Sequence, residues 1–411
     1  MNLPFFIAQR IARNEQKSFS RFIIRLSIAA TVISVAVMVV TLSFVNGFQE
    51  TVSNKVFSFW GHIRVQYRQP QKTAISEEEP IAKNDTLLRR VQALPQVRSI
   101  HPFATKYAIL KTPVEMEGVL LKGFENSQGL SNLEPFLKRG RWVQFNDSTY
   151  TREIVVSEYT ANQLQLKLDD KVLIYFVRPD GSLRPDKLTI TGIYKTGIEE
   201  YDKTFALADI KLIRRLNNWQ EDDIGGYEIF LKDYNQMDDV SYAIYEQAYF
   251  PEFWETKTVR EIYPNIFDWL GIISNNGHVL ISIMVIIAAI NFITCLIILV
   301  LERVRMIGTL KALGATDWTV QKIFLQHSFL ITISGIVLGL LIALGLLWLQ
   351  QKTGFVHLDE DAYYMQTAVV KIDWQQIAMV AAGTLLVSIL VLLIPSFLVK
   401  KIQPIQAMRF S

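Results

Sequence analysis

Long apolar runs alternate with segments of ordinary polar composition along the chain. Four of these runs contain no Asp, Glu, Lys or Arg, and each is at least 24 residues long: 26–49, 270–301, 323–351 and 374–399. A helix of about 20 apolar residues crosses the hydrocarbon core of a bilayer, so each run is long enough to span it. The pattern therefore predicts four transmembrane helices: 26–48, 275–301, 322–349 and 375–399.

Two other interpretations of these runs are disfavoured. Buried helices in large soluble cores seldom extend beyond about 20 residues without a charge, and four such runs in one chain argue against that class. Alternating strands of about ten residues, which mark an outer-membrane barrel, are absent from the sequence. The first run also exceeds the about 7 to 15 apolar residues of a cleaved signal peptide, so we interpret it as an uncleaved signal anchor.

The distribution of charge predicts how the spans are oriented. Three segments hold more basic than acidic residues, and two hold more acidic than basic ones: 1–26, 302–322 and 400–411 in the first group, 45–271 and 350–376 in the second. Lys and Arg close to span ends stay in the cytoplasm. The sequence thus predicts three inside and two outside segments: 1–25, 302–321 and 400–411 in the cytoplasm, 49–270 and 350–374 on the opposite side.

The large outside segment has the composition of a soluble domain and mixes strand-like with helix-like pieces in no repeating order. Predicted strands lie at 62–67, 107–110, 117–121, 154–156, 171–177 and 188–191, and predicted helices at 85–94, 157–166, 208–216 and 237–248. Arg178–Gly181 indicates a hairpin turn, and the polar run 75–80 indicates a subdomain boundary. The predicted fold class is a membrane protein: four transmembrane α-helices with a large α+β domain inserted between helices 1 and 2.

Composition and motifs exclude several kinds of function. The single cysteine, Cys295, rules out an intramolecular disulfide and a Cys-rich metal site, and the five histidines are scattered, so no metal site is predicted. A net charge of +3 is too small to suggest nucleic acid as a partner. His-Glu-x-x-His, Gly-x-Ser-x-Gly and the phosphate-binding Gly-x-x-x-x-Gly-Lys-Ser/Thr are all absent, so the chain is not expected to hydrolyse ATP itself.

The inside loop 302–321 has the pattern of a short helix, a sharp turn and the start of a second helix. Its apolar residues share one helical face: Met306, Ile307, Leu310 and Leu313. Gly314 stands where a left-handed C-cap ends a helix, and Thr316 can cap the next one. The basic amphipathic helix fits two roles, resting on anionic headgroups or docking into a groove of a cytoplasmic partner. The residue pattern alone leaves both open.

Small and polar residues inside the spans indicate how the helices pack. Gly335 and Gly339 lie on one helix face with Ala343 and permit close approach of a neighbouring helix. Asn291 lies in the middle of a span, where an unpaired amide is costly, so we expect it to face protein. Charged relays and ion filters are absent from the spans, which disfavours a secondary transporter or a channel.

FtsX-like ABC transporter permeases have a signature that this loop strongly resembles: Arg305-Met-Ile-Gly-Thr-Leu-Lys-Ala-Leu-Gly-Ala315. The layout of one span, a large periplasmic domain and three further spans is also similar to that family, as is the ending from Pro395 to Arg409. Within the family, three stretches resemble the lipoprotein-releasing permeases (LolC/LolE type): Thr191–Asp202, Leu137–Arg141 and Ala289–Phe292. The resemblance covers nearly the whole chain.

This resemblance implies a non-catalytic permease subunit of the bacterial inner membrane, with both termini cytoplasmic and the large domain periplasmic. It implies a homo- or heterodimer of permeases that works with a cytoplasmic ABC ATPase dimer, which would bind the ATP and Mg²⁺, so this chain would hold no cofactor. The complex would extract lipoproteins from the membrane lipid and pass them to a periplasmic carrier. The ATPase-coupling residues implied by the signature are Arg305, Met306, Ile307, Leu310, Lys311, Leu313 and Gly314.

A lipid-anchored substrate needs a lateral apolar opening between spans rather than an aqueous pore, which agrees with spans that carry no charge. The first two spans are expected to line this opening. Val40, Phe44 and Phe48 share one helix face and are candidates for its wall, although ordinary core packing explains their spacing equally well.

The chain departs from the family pattern at two places, and two other functions remain open. Met306 stands where many members carry an acidic residue, and the segment after Tyr363 lacks the family's Pro. One alternative function is a mechanotransmission or efflux permease of the same superfamily. The other is an envelope sensor or scaffold that does not couple to ATP.

Overall fold

The computed structural model describes residues 19–69, 77–146, 149–177 and 182–396. Several sequence predictions lie outside these residues: the segment 1–18, the start of the polar run at 75–76, the turn Arg178–Gly181 and the tail 400–411. The described chain forms two compact units. We call them the helical unit, built from residues up to Gln49, Trp269–His357 and residues from Thr367 onward, and the sheet unit, built from Glu50–Asp268 and Leu358–Gln366.

The described chain contains both long apolar helices and short helices between strands. The helices are α1 (Phe19–Trp60), α2 (Asp85–Gln92), α3 (Ser127–Leu130), α4 (Glu158–Gln163), α5 (Glu199–Thr204), α6 (Ile210–Asn217), α7 (Met237–Tyr245), α8 (Val259–Ile262), α9 (Pro264–Glu302), α10 (Val304–Ala312), α11 (Asp317–Thr353), α12 (Glu360–Tyr363) and α13 (Trp374–Ser396). Two 3₁₀ turns span Ser131–Phe136 and Tyr234–Gln236.

Four of these helices, α1, α9, α11 and α13, are long and apolar enough to cross a membrane. The predicted span 26–48 lies inside α1, and the helix continues to Trp60 because the helical spacing of apolar residues continues past the span. Val52, Val56 and Phe59 on this extension are buried. Pro264 begins α9 at the first helical position, where its missing N–H costs nothing.

The sheet unit is built around one large sheet of mixed direction. Its strands are β1 (Ile63–Tyr67), β2 (Ile81–Ala82), β3 (Val97–Lys111), β4 (Met116–Phe124), β5 (Leu137–Gly140), β6 (Glu153–Ser157), β7 (Lys171–Val177), β8 (Leu183–Tyr194), β9 (Phe205–Asp209), β10 (Asp223–Ile224), β11 (Gly226–Leu231) and β12 (Trp254–Thr258). Ten strands follow the order β12-β1-β11-β3-β4-β9-β6-β8-β5, with β7 joined to β3 and β8, while β10 and β2 form a separate pair. The α+β architecture predicted for the inserted domain is confirmed.

Strand direction in this sheet follows from the connections. Most neighbours are antiparallel, whereas β4 with β9 and β6 with β8 are parallel. Antiparallel pairing of β7 with β8 agrees with the predicted hairpin between them, although the turn itself is not among the described residues. Parallel neighbours need a crossover connection, and helix α4 lies in the connection that leads from β6 to β8.

The predicted subdomain boundary near residues 75–80 is wrong, because the described part of that run is fixed to the sheet. Glu78 Oε2 accepts hydrogen bonds from Thr105 N at 2.9 Å and Thr105 Oγ1 at 2.6 Å. Arg64 Nη2 lies 2.9 Å from the other carboxylate oxygen of Glu78, and both side chains are buried. Polarity suggested a linker, but these glutamates serve as partners for buried strand groups.

Aromatic rings and paired charges fill the centre of the sheet unit. Trp60 and Phe205 meet edge to face with centroids 5.0 Å apart. The Lys122 ammonium on β4 lies 2.6 Å from Glu228 Oε1 on β11, so this ion pair reaches across β3. Burial lowers the pKa of Lys122 to about 8. Removing either partner would leave an uncompensated charge in the core, which is strongly destabilising.

Candidate functional site

The turn between α10 and α11 has the local geometry that the sequence predicts. Gly314 adopts φ +92°, a left-handed conformation that ends α10, and its N–H donates to Lys311 O at 3.0 Å. The Thr316 hydroxyl caps the next helix by accepting from Thr319 N. Both predicted caps are confirmed. A Cβ at Gly314 would meet no atom of the described residues within 4 Å, so the backbone angle is what favours glycine here.

The four apolar positions predicted to share one face of α10 differ in their burial. Ile307 is fully buried in the helical core with Phe292 and Phe324. Met306 and Leu310 pack against the edge of the same cluster. The expectation that Ile307 enters a partner's groove is therefore corrected, because its side chain is used to seat α10 on its own bundle.

Two apolar side chains beside the turn remain outward. Leu313, just before Gly314, is 80% exposed, and Trp318, in the first turn of α11, is 61% exposed. Arg305 is also exposed. We call Arg305, Leu313, Gly314 and Trp318 the turn surface. Sequence reasoning missed Trp318, although a tryptophan directly after a helix cap in a polar loop is a usable signal.

Lys311 serves the turn itself. Its ammonium lies 2.9 Å from Asp317 Oδ1, which joins the end of α10 to the start of α11. The Lys311 side chain is only 9% exposed, whereas Asp317 is half exposed. This contact closes the turn electrostatically and holds Leu313 and Trp318 at either side of it.

Asn291 and the two span glycines lie where helices of the helical unit meet. The Asn291 amide donates to Ser27 O at 3.1 Å and to Ser27 Oγ at 3.2 Å, so α9 is bonded to α1. A Cβ on Gly335 would lie 2.7 Å from Thr31 Cβ, and one on Gly339 would lie 2.9 Å from Val32 O. These distances leave no room for a side chain between α11 and α1.

The three candidates for the lipid-cavity wall lie on the packed side of α1. Val40 and Phe44 pack against the cluster that contains Val39 and Leu347. Phe48 is largely buried and contacts Trp269 edge to face, with ring centroids 5.2 Å apart. Within one chain these residues contribute to the core, and their role in a cavity stays a prediction.

The stretch Thr191–Asp202 contains the end of β8, a short hydrogen-bonded loop and the start of α5. The Asp202 carboxylate accepts from Thr196 N at 2.9 Å, Thr196 Oγ1 at 2.9 Å and Gly197 N at 3.0 Å. Burial of the carboxyl outweighs these hydrogen bonds and raises the pKa of Asp202. Gly197 has φ +74°, so the loop needs glycine at this position.

Groups that could hold a metal ion are not assembled in the described residues. No set of three His, Cys, Asp or Glu side chains there is arranged to hold a metal ion. Cys295 is buried in the helical unit. The features that stand out are instead an exposed turn between α10 and α11, tight helix packing and a hydrogen-bonded loop on the sheet unit.

Comparison with known proteins finds similarity along nearly the whole chain. The model for the FtsX-like permease C-terminal region matches residues 278–404, and the model for the MacB-like periplasmic core domain matches residues 26–244. The lipoprotein-releasing system transmembrane protein LolE of Haemophilus influenzae is 24% identical over 99% of both chains. LolC of Neisseria meningitidis serogroup B is 23% identical over 100% of both. The structure of the periplasmic region of MacB from Actinobacillus actinomycetemcomitans aligns with 50% of this chain over 92% of its own length, with 12% sequence identity and a TM-score of 0.35.

The matched residues include apolar helices of a multipass inner-membrane protein and a periplasmic domain inserted after the first helix. The MacB-like model alone covers more than half of the residues. The chain therefore belongs to the FtsX-like ABC transporter permeases that carry a MacB-like periplasmic core domain.

Proposed function

We propose that this chain is a permease subunit of an ABC transporter that releases lipoproteins from the inner membrane toward a periplasmic carrier. The observation that carries the proposal is similarity along the entire chain to LolE and LolC, proteins named for a lipoprotein-releasing system. Because the match includes the periplasmic domain and all four spans, it favours a common domain organisation over similarity in one domain alone.

Energy would come from a separate ATPase, because the sequence contains no phosphate-binding loop. The ATPase dimer would bind ATP and Mg²⁺, and the turn surface is the part of this chain that fits it. Leu313 and Trp318 offer exposed apolar side chains, and Arg305 adds a positive charge. Because Lys311 and Asp317 close the turn, a push on Leu313 would displace both α10 and α11.

The positive-inside rule supports placing the turn surface and both termini in the cytoplasm. A second permease, identical or related, would complete the transporter. Val40, Phe44 and Phe48 on α1 would then border a lateral opening toward membrane lipid, through which the acyl chains of a lipoprotein leave. Uncharged spans suit such a path, since acyl chains gain nothing from an aqueous pore.

The proposal is tested by reconstituting the full chain with its permease partner, the ATPase and a labelled lipoprotein in proteoliposomes. Released lipoprotein is counted in the soluble fraction with carrier present, and ATP hydrolysis is measured in parallel. We expect ATP-dependent release from the unmodified chain. Leu313→Asp should reduce ATPase association and release together, because it places a charge in an apolar contact.

Met116→Asp provides the matched control, because Met116 is an exposed apolar residue at the start of β4 on the sheet unit. This variant should bind ATPase normally. ATP hydrolysis without any lipoprotein release from the unmodified complex would contradict the proposed substrate. Undiminished ATPase binding by Leu313→Asp would contradict the role of the turn surface.

A mechanotransmission or efflux permease is the second candidate, and the match to a MacB-like periplasmic core domain favours it. Such a protein would act on a periplasmic partner and would leave lipoproteins in the membrane. The same reconstitution distinguishes the two functions, because only the first predicts transfer of the labelled lipoprotein to the carrier.

A further inference from the structure

The segment Leu358–Gln366, which we call the strap, connects α11 to α13 but belongs to the sheet unit by its contacts. Its two ends are joined, since Leu358 N donates to Gln366 O at 3.0 Å. The neighbouring residues continue this pairing through a bridge between His357 and Thr367. The strap is thus a closed loop. We call the paired residues 356–358 and 366–368 its base, and the short helix α12 together with Tyr364 its tip.

The base of the strap is fixed to the end of α11. Gln350, a buried residue in the last turn of that helix, donates through Nε2 to Ala368 O at 2.9 Å and accepts from Val356 N at 3.0 Å. One side chain therefore bonds both strands of the base. Gly354 ends α11 with φ +58°, so the chain turns into the base immediately after the helix.

The tip of the strap is bound by two lysines of the sheet unit. Lys195 Nζ lies 2.7 Å from Glu360 Oε2, and Gln366 donates to the same oxygen at 2.8 Å. Lys55 Nζ donates to the main-chain oxygen of Tyr364 at 2.6 Å. The contact thus combines an ion pair with a hydrogen bond to the backbone, and each fixes a different part of the tip.

The loop beneath the tip is in close contact with it at Gly197. A Cβ on Gly197 would lie 2.7 Å from both Glu360 Oε1 and Lys55 Nζ, so the tip lies directly against the glycine. The Asp202 carboxylate holds this loop by accepting from the main chain of Thr196 and Gly197. The stretch that resembles the lipoprotein-releasing branch therefore forms the seat of the strap, although 165 residues separate Lys195 from Glu360.

We infer that the strap is a tether through which displacement of α11 is passed to the periplasmic sheet unit, with Lys195 and Glu360 as its positioning residues. Gln350 fixes the base to α11, the paired base carries the tip, and Lys195 binds the tip to the loop before α5. Hydrogen-bond and ion-pair networks of this kind can carry coupling between distant sites. This inference rests on the proposed function.

The alternative is a surface loop that is merely anchored, in which case the ion pair affects only stability. The test compares Lys195→Met, which removes the charge, with Lys195→Arg, which keeps it. Lys203→Met is the matched control, because Lys203 pairs with Glu199 on the neighbouring helix α5. All three are made in the full chain and assembled with its partner and the ATPase.

Two readouts are taken on each complex. The first is lipoprotein released per ATP hydrolysed. The second is the change in amide hydrogen exchange of the sheet unit when ATP is added, which does not depend on the nature of the substrate. We expect Lys195→Met to lower the first by about fivefold or more and to abolish the second, with ATP hydrolysis retained. Lys195→Arg and Lys203→Met should match the unmodified chain in both.

The outcomes separate the two ideas. An unchanged ATP-dependent exchange response in Lys195→Met overturns the tether, whatever substrate is transported. An exchange response that is present in the unmodified chain and lost in Lys195→Met supports the tether, whether or not lipoprotein is released. Absence of lipoprotein release from the unmodified complex overturns only the proposed substrate. Glu360→Gln provides an independent check from the other side of the ion pair and should reproduce Lys195→Met.

Discussion

Asn291 of α9 donates through one amide nitrogen to both the main-chain oxygen and the hydroxyl of Ser27 on α1. Ser27 is buried, so this contact lies inside the bundle. The Ser27 oxygen that accepts from Asn291 also accepts from the hydroxyl of Thr31 one turn later. An amide inside a span thus finds its partner on the first helix, and it fixes the rotation of α9 relative to α1.

We predict that Asn291→Leu weakens the helical unit by about 1 kcal/mol, since hydrogen bonds between membrane helices contribute about that much or less. Unfolding of the full chain in mixed micelles, followed by circular dichroism, measures the change. Thr294→Val on the same helix is the control, because among the described residues the Thr294 hydroxyl bonds only to Ile290 O of its own turn. A loss in Thr294→Val equal to that in Asn291→Leu would contradict the interhelical role.

Gly335 and Gly345 on α11 differ in what a side chain would meet. A Cβ on Gly335 would lie 2.7 Å from Thr31 of α1, whereas one on Gly345 would meet no atom within 4 Å in the part of the chain that the structure describes. We predict that Gly335→Leu destabilises the helical unit by about 1–3 kcal/mol through overpacking and that Gly345→Leu is nearly neutral. The same unfolding measurement applies. Equal effects of the two substitutions would show that α1 does not pack on this face.

The spans and the helix caps could be predicted from the sequence because they depend on local properties. A run without charges identifies a span wherever it packs, and Gly314 and Thr316 act through hydrogen bonds within four residues of themselves. The inserted α+β domain was predictable for the same reason, since alternation and turn residues are read over short windows.

Contacts distant in sequence could not be predicted in this way. Apolar spacing on α10 indicates one buried face but not which body covers it, so Ile307 was expected to meet a partner and instead packs on Phe324. The polar run with Glu78 suggested a linker, because the neighbouring sequence contains no signal for the hydrogen bond between Glu78 and Thr105. The pairing of Lys195 with Glu360 likewise depends on the folded sheet unit and not on either neighbourhood.

Gly314 provides a test of the turn that is separate from partner binding. Because its φ is +92° and no atom crowds its Cβ position, only backbone strain opposes a substitution. We predict that Gly314→Val costs about 1–2 kcal/mol of stability, and that Gly314→Asn costs clearly less because asparagine tolerates the left-handed region. Thermal unfolding of the full chain in nanodiscs measures both. Similar losses in the two variants would rule out the conformational explanation.

His62 gives the sheet unit a predictable dependence on acid. Its Nδ1 accepts a hydrogen bond from Leu231 N at 3.0 Å, which requires the neutral ring. Burial, with a further contribution from Arg98, lowers the pKa of His62 from 6.5 to about 4. Between these two pH values the unfolded chain binds a proton that the folded chain does not. The contribution of neutral His62 to stability is therefore fully present above pH 6.5 and is lost as the pH falls toward 4.

The expected loss over that window is about 3 kcal/mol, because each unit of pKa difference corresponds to about 1.4 kcal/mol. Urea unfolding of the full chain at pH 7 and pH 4.5, followed by tryptophan fluorescence, measures it. His62→Asn retains an acceptor for Leu231 N but does not titrate, so its stability should fall less between the two pH values. Carboxyl groups such as Asp202 titrate in both proteins, and the comparison therefore isolates His62. Identical pH profiles would show that the imidazole is not held neutral by the fold.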